Sequence, residues 1–156
     1  MSKANIDIII LDEIDSTNNE AQRVLNYKSN FPFWIIANEQ TSGRGRKNRY
    51  WVSQKGNFMG TFVLEHKIEK QYIPHLSFVT SLALRETIEG FNKGDKEIFL
   101  KWPNDIIIKD SKCAGILIES LKSNSDKEYL AIGIGVNLIN HPSKSSFKAT
   151  SLKKEF

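Results

Sequence analysis

A single cysteine, Cys113, excludes an internal disulfide framework and any cysteine-based metal site. The three histidines, His66, His75 and His141, do not cluster and show no zinc spacing. No apolar run approaches the roughly 18 residues that a membrane span needs. Met1–Asp7 is too short and mixed to read as a signal peptide, so a cytoplasmic protein with no membrane attachment is the default expectation. There is no Gly-x-Ser-x-Gly elbow and no Walker-type Gly-Lys-Ser/Thr. Internal repeats and low-complexity segments are also missing. Charge of one sign is scarce: the net charge of +4 and pI near 9.1 are mild, and much of the excess sits in the 44–49 loop and in the tail from Lys144 to Lys154. Such a balance suits an anionic small ligand as well as it suits nucleic acid. What remains is an ordinary globular composition, 156 residues with 40% hydrophobic, enough for one domain spanning residues 1–156.

Hydrophobic patterning predicts an α+β fold. Ile6–Leu11 is a β-branched run that reads as a buried strand. Asp15-Ser16-Thr17-Asn18 then leads into a helix to about Tyr27, with Thr17 and Glu20 at capping-box spacing. Trp34–Asn38 and Phe58–Glu65 read as strands. Ile73–Phe91 carries Leu76, Val79, Leu82, Ala83 and Ile88 at helical spacing, predicting one amphipathic helix packed on a sheet. Gly90–Lys96 is a turn-rich break. Strands follow at Ile98–Lys101, Asp105–Lys109, Gly115–Leu121 and Tyr129–Leu138, with a tight turn at Ser111-Lys112, which together suggest an antiparallel meander. The expected architecture is a mixed, largely antiparallel sheet with helices packed on one face. The Ser- and Lys-rich tail after Asn140 reads as poorly anchored.

Four constellations carry chemistry. In Gly43-Arg44-Gly45-Arg46-Lys47-Asn48-Arg49-Tyr50-Trp51, two glycines permit close approach and positive φ. The arginines offer forks that match phosphate or carboxylate two bonds at a time, and Trp51 offers a flat stacking surface. The same string also fits a solvated basic loop. Lys101-Trp102-Pro103-Asn104-Asp105 ends an apolar strand and presents an amide beside a carboxylate. That pair suits Mg²⁺ or an amine nucleophile, and equally suits a plain turn. Lys112 stands beside Cys113-Ala114-Gly115-Ile116-Leu117-Ile118-Glu119, where a lysine at the start of a buried strand can reach an anion and Cys113 reads as a packed small hydrophobe. Gly133-Ile134-Gly135-Val136-Asn137 alternates glycines within a strand, which suggests close approach of a ligand or another strand.

The order of these pieces is more telling than any one of them. Asp-Ser-Thr-Asn (15–18), Gln-Thr-Ser-Gly-Arg-Gly-Arg (40–46) with Trp51, Lys-Trp-Pro-Asn-Asp (101–105), Lys-Cys-Ala-Gly-Ile-Leu-Ile-Glu (112–119) and Gly-Ile-Gly-Val-Asn-Leu (133–138) resemble the biotin protein ligases, also called biotin–[acetyl-CoA-carboxylase] ligases. The resemblance runs from Ile6 to Leu152. It implies a catalytic domain like that of class II aminoacyl-tRNA synthetases. It also implies a two-step reaction in which biotin and ATP, with Mg²⁺, form biotinyl-5'-AMP. The acyl group then passes to a lysine on the biotin carboxyl carrier domain of a carboxylase.

By the same resemblance Arg46, Lys112 and Asp105 are catalytic. Ser16, Thr17, Asn18, Gln40, Arg44, Gly45, Arg46, Lys112 and Gly115 bind biotin, with the short polar side chains on the ureido ring. Arg46, Trp51, Asn104, Lys112 and Asn137 bind the nucleotide, and Asn104 and Asp105 lie near Mg²⁺. The loop is expected to fold over the adenylate and keep water from it.

Two departures stand out. Asn48 replaces a glycine usual in the family, and asparagine tolerates the left-handed region better than most residues. The chain also begins at the catalytic strand and stops near Ala149-Thr150-Ser151-Leu152, so neither a DNA-binding helix-turn-helix nor the family's C-terminal β-barrel domain is expected, nor any DNA partner. A homodimer through a sheet edge is an arrangement the family uses. The rival readings are a biotin- or nucleotide-binding remnant without turnover, a lipoate–protein ligase and an RNA-binding domain. The lipoate enzyme would carry a His-Asp pair after its arginine–glycine motif, which is absent here. The RNA-binding domain would show aromatics along a basic face.

Overall fold

The computed structural model describes residues 6–92, 97–143 and 147–156. Residues 1–5, 93–96 and 144–146, and with them part of the N-terminal stretch, of the Gly90–Lys96 break and of the basic tail named above, lie outside the described residues. The elements are β1 (Asp7–Ile14), α1 (Thr17–Val24), β2 (Phe33–Gln40), β3 (Phe58–His66), α2 (Leu76–Glu89), β4 (Ile98–Lys101), β5 (Asp105–Ile108), β6 (Ser111–Leu121), β7 (Glu128–Val136) and α3 (Leu152–Glu155). The seven strands form one sheet in the order β1-β2-β3-β7-β6-β5-β4. Only β1 and β2 run parallel, and every other neighbouring pair is antiparallel. The mixed α+β architecture and the C-terminal meander are therefore as the patterning predicts.

Strand alternation divides the sheet into two chemically distinct faces. One face carries Phe33, Ile35, Val63 and Ala131, which bury Ala21 and Leu25 of α1 and its following turn. The other carries Ile98, Ile106, Ile108, Ala114 and Val136, which bury Ile88 and pack Leu84 of α2. Paired neighbours such as Gly115–Gly135 and Ala114–Val136 point to opposite sides. The two helices are thus divided between the faces rather than sharing one. α1 leaves the rest of its own face open, and that opening is the cavity described below.

Several local expectations shift for identifiable reasons. β1 is an edge strand, with Ile8 57% and Ile10 68% exposed, so only one of its faces is buried. Three consecutive isoleucines hide that alternation from the sequence. α1 starts at Thr17 with Ser16 as its N-cap and no side-chain cap bond, so no capping box forms: Glu20 is drawn to Arg23 instead. In α2 the stripe on the sheet is Ser77, Ser81, Leu84, Arg85 and Ile88, whereas Val79 and Leu82 are exposed. Apolar residues occur almost all round this helix, and the choice of face falls to polar tethers: the Ser77 hydroxyl donates to Pro103 O at 2.8 Å and Arg85 Nε to Ile98 O at 3.0 Å. The tight turn before β6 lies at Lys109-Asp110, both at positive φ (48° and 61°), the pairing of a two-residue hairpin. Ser111 and Lys112 already belong to β6.

The described end of the chain is held, contrary to the loose tail expected. Thr150 and Ser151 are 1% exposed, and residues 148–150 run beside the start of β6 through Lys112 N to Lys148 O (2.8 Å) and Thr150 N to Lys112 O (2.9 Å). Buried hydroxyls in this stretch are satisfied locally: Thr150 Oγ1 donates to Glu155 at 2.7 Å, whose other oxygen pairs with Lys109 at 3.3 Å. Serine and lysine content reads as solvent-facing, but Lys148 O, Thr150 N, Thr150 O and Leu152 N each have a partner, and that decides the outcome.

Cys113 is fully buried among Ile106, Ala114 and Val136, and burial pushes its thiol up to about 12. Iodoacetamide at pH 8 is expected to leave it unmodified in the folded chain and to label it once denaturant is added, as mass spectrometry would show. Labelling at native rates comparable to a free thiol would contradict the packing.

Candidate active site

A cavity of about 390 Å³ opens on the α1 face of the sheet. Its walls come from five places in the sequence: Ser16–Asn18 at the start of α1, Gln40 with the 44–51 loop, the Lys101–Asp105 turn, Lys112–Leu117 of β6 and Gly133–Gly135 of β7, with Phe147 at one side. It thereby gathers every site residue expected from the sequence except Asn137.

One end of the cavity is neutral and polar. Thr17 N donates to Gln40 Oε1 at 2.8 Å, and Gln40 Nε2 donates to Ser53 Oγ at 2.8 Å. The Thr17 and Thr61 hydroxyls lie 2.8 Å apart, and Thr61 donates to Asn18 Oδ1 at 2.6 Å. Asn18 Nδ2 in turn donates to Glu119 Oε2 at 2.7 Å. Ser16, Thr17, Asn18, Gln40, Ser53 and Thr61 are all buried. This end is a rigid set of short donors and acceptors, each fixed by its neighbour.

The other end is cationic and aromatic. The Lys112 ammonium lies 2.6 Å from Asp105 Oδ1 and about equally, 5.3 Å, from the ring centres of Trp51 and Phe147. Among the described residues that ammonium is the sole partner of the buried Asp105 Oδ1. Asn104 is held through both side chain and backbone: its Nδ2 donates to Ile116 O at 2.6 Å, and its main-chain carbonyl accepts from Ile116 N at 3.0 Å. Arg46 sits at the exposed tip of the loop and has no salt bridge among the described residues.

The loop itself departs from expectation in one respect. Neither Gly43 nor Gly45 has positive φ; Gly45 is extended (φ −113°, ψ −168°), and the left-handed residues are Lys47 (φ 55°) and Asn48 (φ 54°). Asparagine thus occupies the conformation for which it was expected to serve. Gly43 is needed for space, since an added Cβ would lie 2.6 Å from both Ser53 Oγ and Trp51 O. A similar close approach explains the β7 glycines. A Cβ on Gly133 would meet Asn18 Oδ1 at 2.5 Å, and one on Gly135 would meet the Trp51 indole at 2.5–2.7 Å. The bodies that come close are the cavity's own walls.

Asn137 is placed elsewhere. It is 3% exposed, and its Nδ2 donates to Thr150 O at 3.0 Å while its N donates to Cys113 O at 2.8 Å. It clamps the 148–152 segment. The sequence carries no evident signal for Phe147 as a cavity residue, or for Thr61 and Ser53 as the partners that stand behind Thr17, Asn18 and Gln40. Glu119, not among the expected site residues, had one readable signal: within an apolar strand it shares the cavity parity with Gly115 and Leu117.

The family model described as the biotin/lipoate A/B protein ligase family matches residues 11–137. The chain belongs to this family. Among ligase-family relatives, it is 41% identical over 133 residues to the biotin–[acetyl-CoA-carboxylase] ligase of Paracoccus denitrificans, covering 85% of this chain and 55% of that one. It superposes on the biotin protein ligase of Leishmania major in complex with biotinyl-5-AMP with TM-score 0.82 and 32% identity, covering 96% of this chain and 64% of that one. The Aquifex aeolicus biotin protein ligase in complex with biotin and ATP gives TM-score 0.79 at 32% identity, with 96% and 60% covered. The chain therefore has the ligase-family catalytic fold and spans somewhat over half the length of these relatives.

Proposed function

We propose that this chain carries the adenylation site of an ATP-dependent biotin–protein ligase. The observation that carries the reading is the single cavity that joins a buried neutral polar end, Thr17, Asn18 and Gln40, to a cationic aromatic end, Lys112, Trp51 and Phe147. The ureido ring of biotin needs an acceptor for its N–H groups and donors for its carbonyl, which the first end offers. Its valeryl carboxylate then points toward the second.

Two anions must meet there, a carboxylate and the ATP α-phosphate, and cations at the junction offset their repulsion. Lys112 is held at this point by Asp105, and Arg46 at the loop tip closes over it from the other side. A carboxylate oxygen bonds to the α-phosphorus as the α–β anhydride bond breaks and pyrophosphate leaves. Trp51 gives the adenine a face, held flat on Gly135. In the second step the amine of an acceptor lysine, on the carrier domain of a biotin-dependent carboxylase, attacks the acyl carbon and loses a proton, and AMP leaves as the acyl–phosphate bond breaks. Asp105, a cavity residue near exposed Trp102, would accept or orient that amine.

Magnesium enters as part of the ATP co-substrate. Among the described residues no three His, Cys, Asp or Glu side chains gather as a metal cage. Asp105 has one oxygen committed to Lys112, leaving one carboxylate oxygen and the Asn104 amide oxygen for an ion that keeps its phosphate oxygens and waters. Asn137 supports the site from behind by holding the 150–152 segment.

The test is incubation of the chain with biotin, ATP and Mg²⁺, followed by mass spectrometry for biotinyl-5'-AMP and calorimetry for biotin. Formation of the adenylate supports the reading. Biotin binding without adenylate would assign a binding module, and adenylation of lipoate but not biotin would assign the sister activity. Thr17→Val is expected to weaken biotin binding by about 1–3 kcal/mol, because it leaves Thr61 and the ring without a hydroxyl partner in a buried place. Unaltered affinity by calorimetry would remove Thr17 from the pocket.

A further inference from the structure

We infer that Glu119 is a positioning residue of this site, one oxygen of which sets both the polarity of the biotin-ring pocket and the seating of the arginine loop; the first half of this rests on the biotin reading above. Glu119 Oε2 accepts from Asn18 Nδ2 at 2.7 Å and from Arg44 Nη2 at 2.8 Å. These two donors belong to different parts of the cavity, the start of α1 and the 43–51 loop, and β6 brings the carboxylate between them.

Consider first the pocket. An ionised carboxylate only accepts, so Glu119 fixes the nitrogen end of the Asn18 amide toward itself. The oxygen end must then face Thr61, where it accepts at 2.6 Å, above the space that Gly133 leaves open. The direction of the Asn18–Thr61 hydrogen bond follows from that one constraint, while Gln40 is oriented separately by the Thr17 N–H. A glutamine at 119 both donates and accepts, and the constraint disappears.

Consider next the loop. Arg44 also donates to Asn19 Oδ1 and, at 3.4 Å, toward Ser16 Oγ. Asn19 is itself held by Asp15 at 2.7 Å, and the Arg23 guanidinium keeps the Asp15 carboxyl ionised, well below the usual carboxylate range. Arg44 is therefore a pin through which the loop is fastened to α1 on one side and to β6 on the other. With Arg44 and Glu119 side chains 26% and 34% exposed, such a pair adds little to global stability. Its effect is local order.

The experiment compares wild type, Glu119→Gln, Arg44→Ala and the double variant. Amide hydrogen exchange of the ligand-free chain is read at Gly45, Arg49 and Trp51, whose N–H groups bond within the loop. Glu119→Gln is expected to raise exchange there about tenfold, the loss of one charge-assisted bond, with the β6 and β7 ladders unmoved. Added to Arg44→Ala it should raise loop exchange no further. Calorimetry with biotin should show affinity about tenfold lower for Glu119→Gln, with a tilt in KM rather than in kcat for adenylate formation. Unchanged loop exchange, an equal rise across β6 and β7, or additive effects in the double variant would overturn the assignment. If wild type fails to bind biotin, the biotin reading falls, and the exchange comparison decides the loop role of Glu119 alone.

Discussion

Lys112→Ala is expected to lower the rate of biotinyl-5'-AMP formation by two to three orders of magnitude, about 2.7–4 kcal/mol of transition-state stabilisation, while biotin affinity changes by only a few-fold. The split follows from position. The Lys112 ammonium stands at the aromatic end of the cavity, against Asp105 at 2.6 Å and between the Trp51 and Phe147 rings, away from the Thr17–Gln40 end where the ring is read. Charge that develops at the carboxylate–phosphate junction meets this cation only there. Single-turnover pyrophosphate release, set beside calorimetry with biotin, would measure the two quantities separately. Equal loss of both would make Lys112 an ordinary binding group. The loss includes a contribution from Asp105, whose buried oxygen has no other partner among the described residues. Lys112→Ala combined with Asp105→Asn should therefore cost less than the two single changes added together.

Gly135→Ala and Gly133→Ala should break the two ends of the site independently. The methyl added at 135 would stand 2.5–2.7 Å from the Trp51 indole, and the one added at 133 would stand 2.5 Å from Asn18 Oδ1. Neither glycine can yield easily, because both sit in the central ladder, Gly135 between Met59 and Gly115 and Gly133 between Thr61 and Leu117. The wall must shift instead, at a cost of about 1–3 kcal/mol for overpacking. ATP affinity should fall about ten- to a hundredfold for Gly135→Ala with biotin binding nearly kept, and the reverse for Gly133→Ala. Separate titrations with each ligand would show this. Parallel loss of both ligands in both variants would mean that the two ends do not act as separate subsites.

The parts of this molecule that were readable in its sequence are those in which local chemistry and global packing agree. Strands β2, β3, β6 and β7 are apolar stretches bounded by polar turns, and they stand within a few residues of expectation. Asn48 was expected in left-handed backbone and is found there. The motif residues from Ser16 to Gly135 converge on one cavity although they are spread over the whole chain, because each was tied to a strand end or a strand face. The misses arose where two readings satisfied the same letters. Three isoleucines in β1 conceal which alternate residue is open to solvent. Glu20 could close a capping box or pair with Arg23, and the arginine is the stronger partner. Leu82 and Leu84 lie on opposite sides of α2, each in an apolar row of helical period, and the hydrogen bonds of Ser77 and Arg85 select between the two sides. The Thr150-Ser151 stretch has the composition of a loop, but its hydroxyls and amides are consumed by Asn137, Lys112 and Glu155. Such choices depend on partners many residues away, which a local window cannot contain.

The pairing of β3 with β7 has a further consequence. It joins the β1-β2-β3 block to the β7-β6-β5-β4 block, and the cavity lies across it: Thr17, Gln40, Arg46 and Trp51 come from one side, Asp105, Lys112, Gly133 and Gly135 from the other. Neither block on its own can present a complete ligand site. A bound adenylate would act as a rivet through this seam, binding the folded chain and nothing else, so that its binding energy adds directly to folding stability. Thermal unfolding would then report occupancy, because the ligand ties together the two halves of the sheet that meet at this nine-residue ladder.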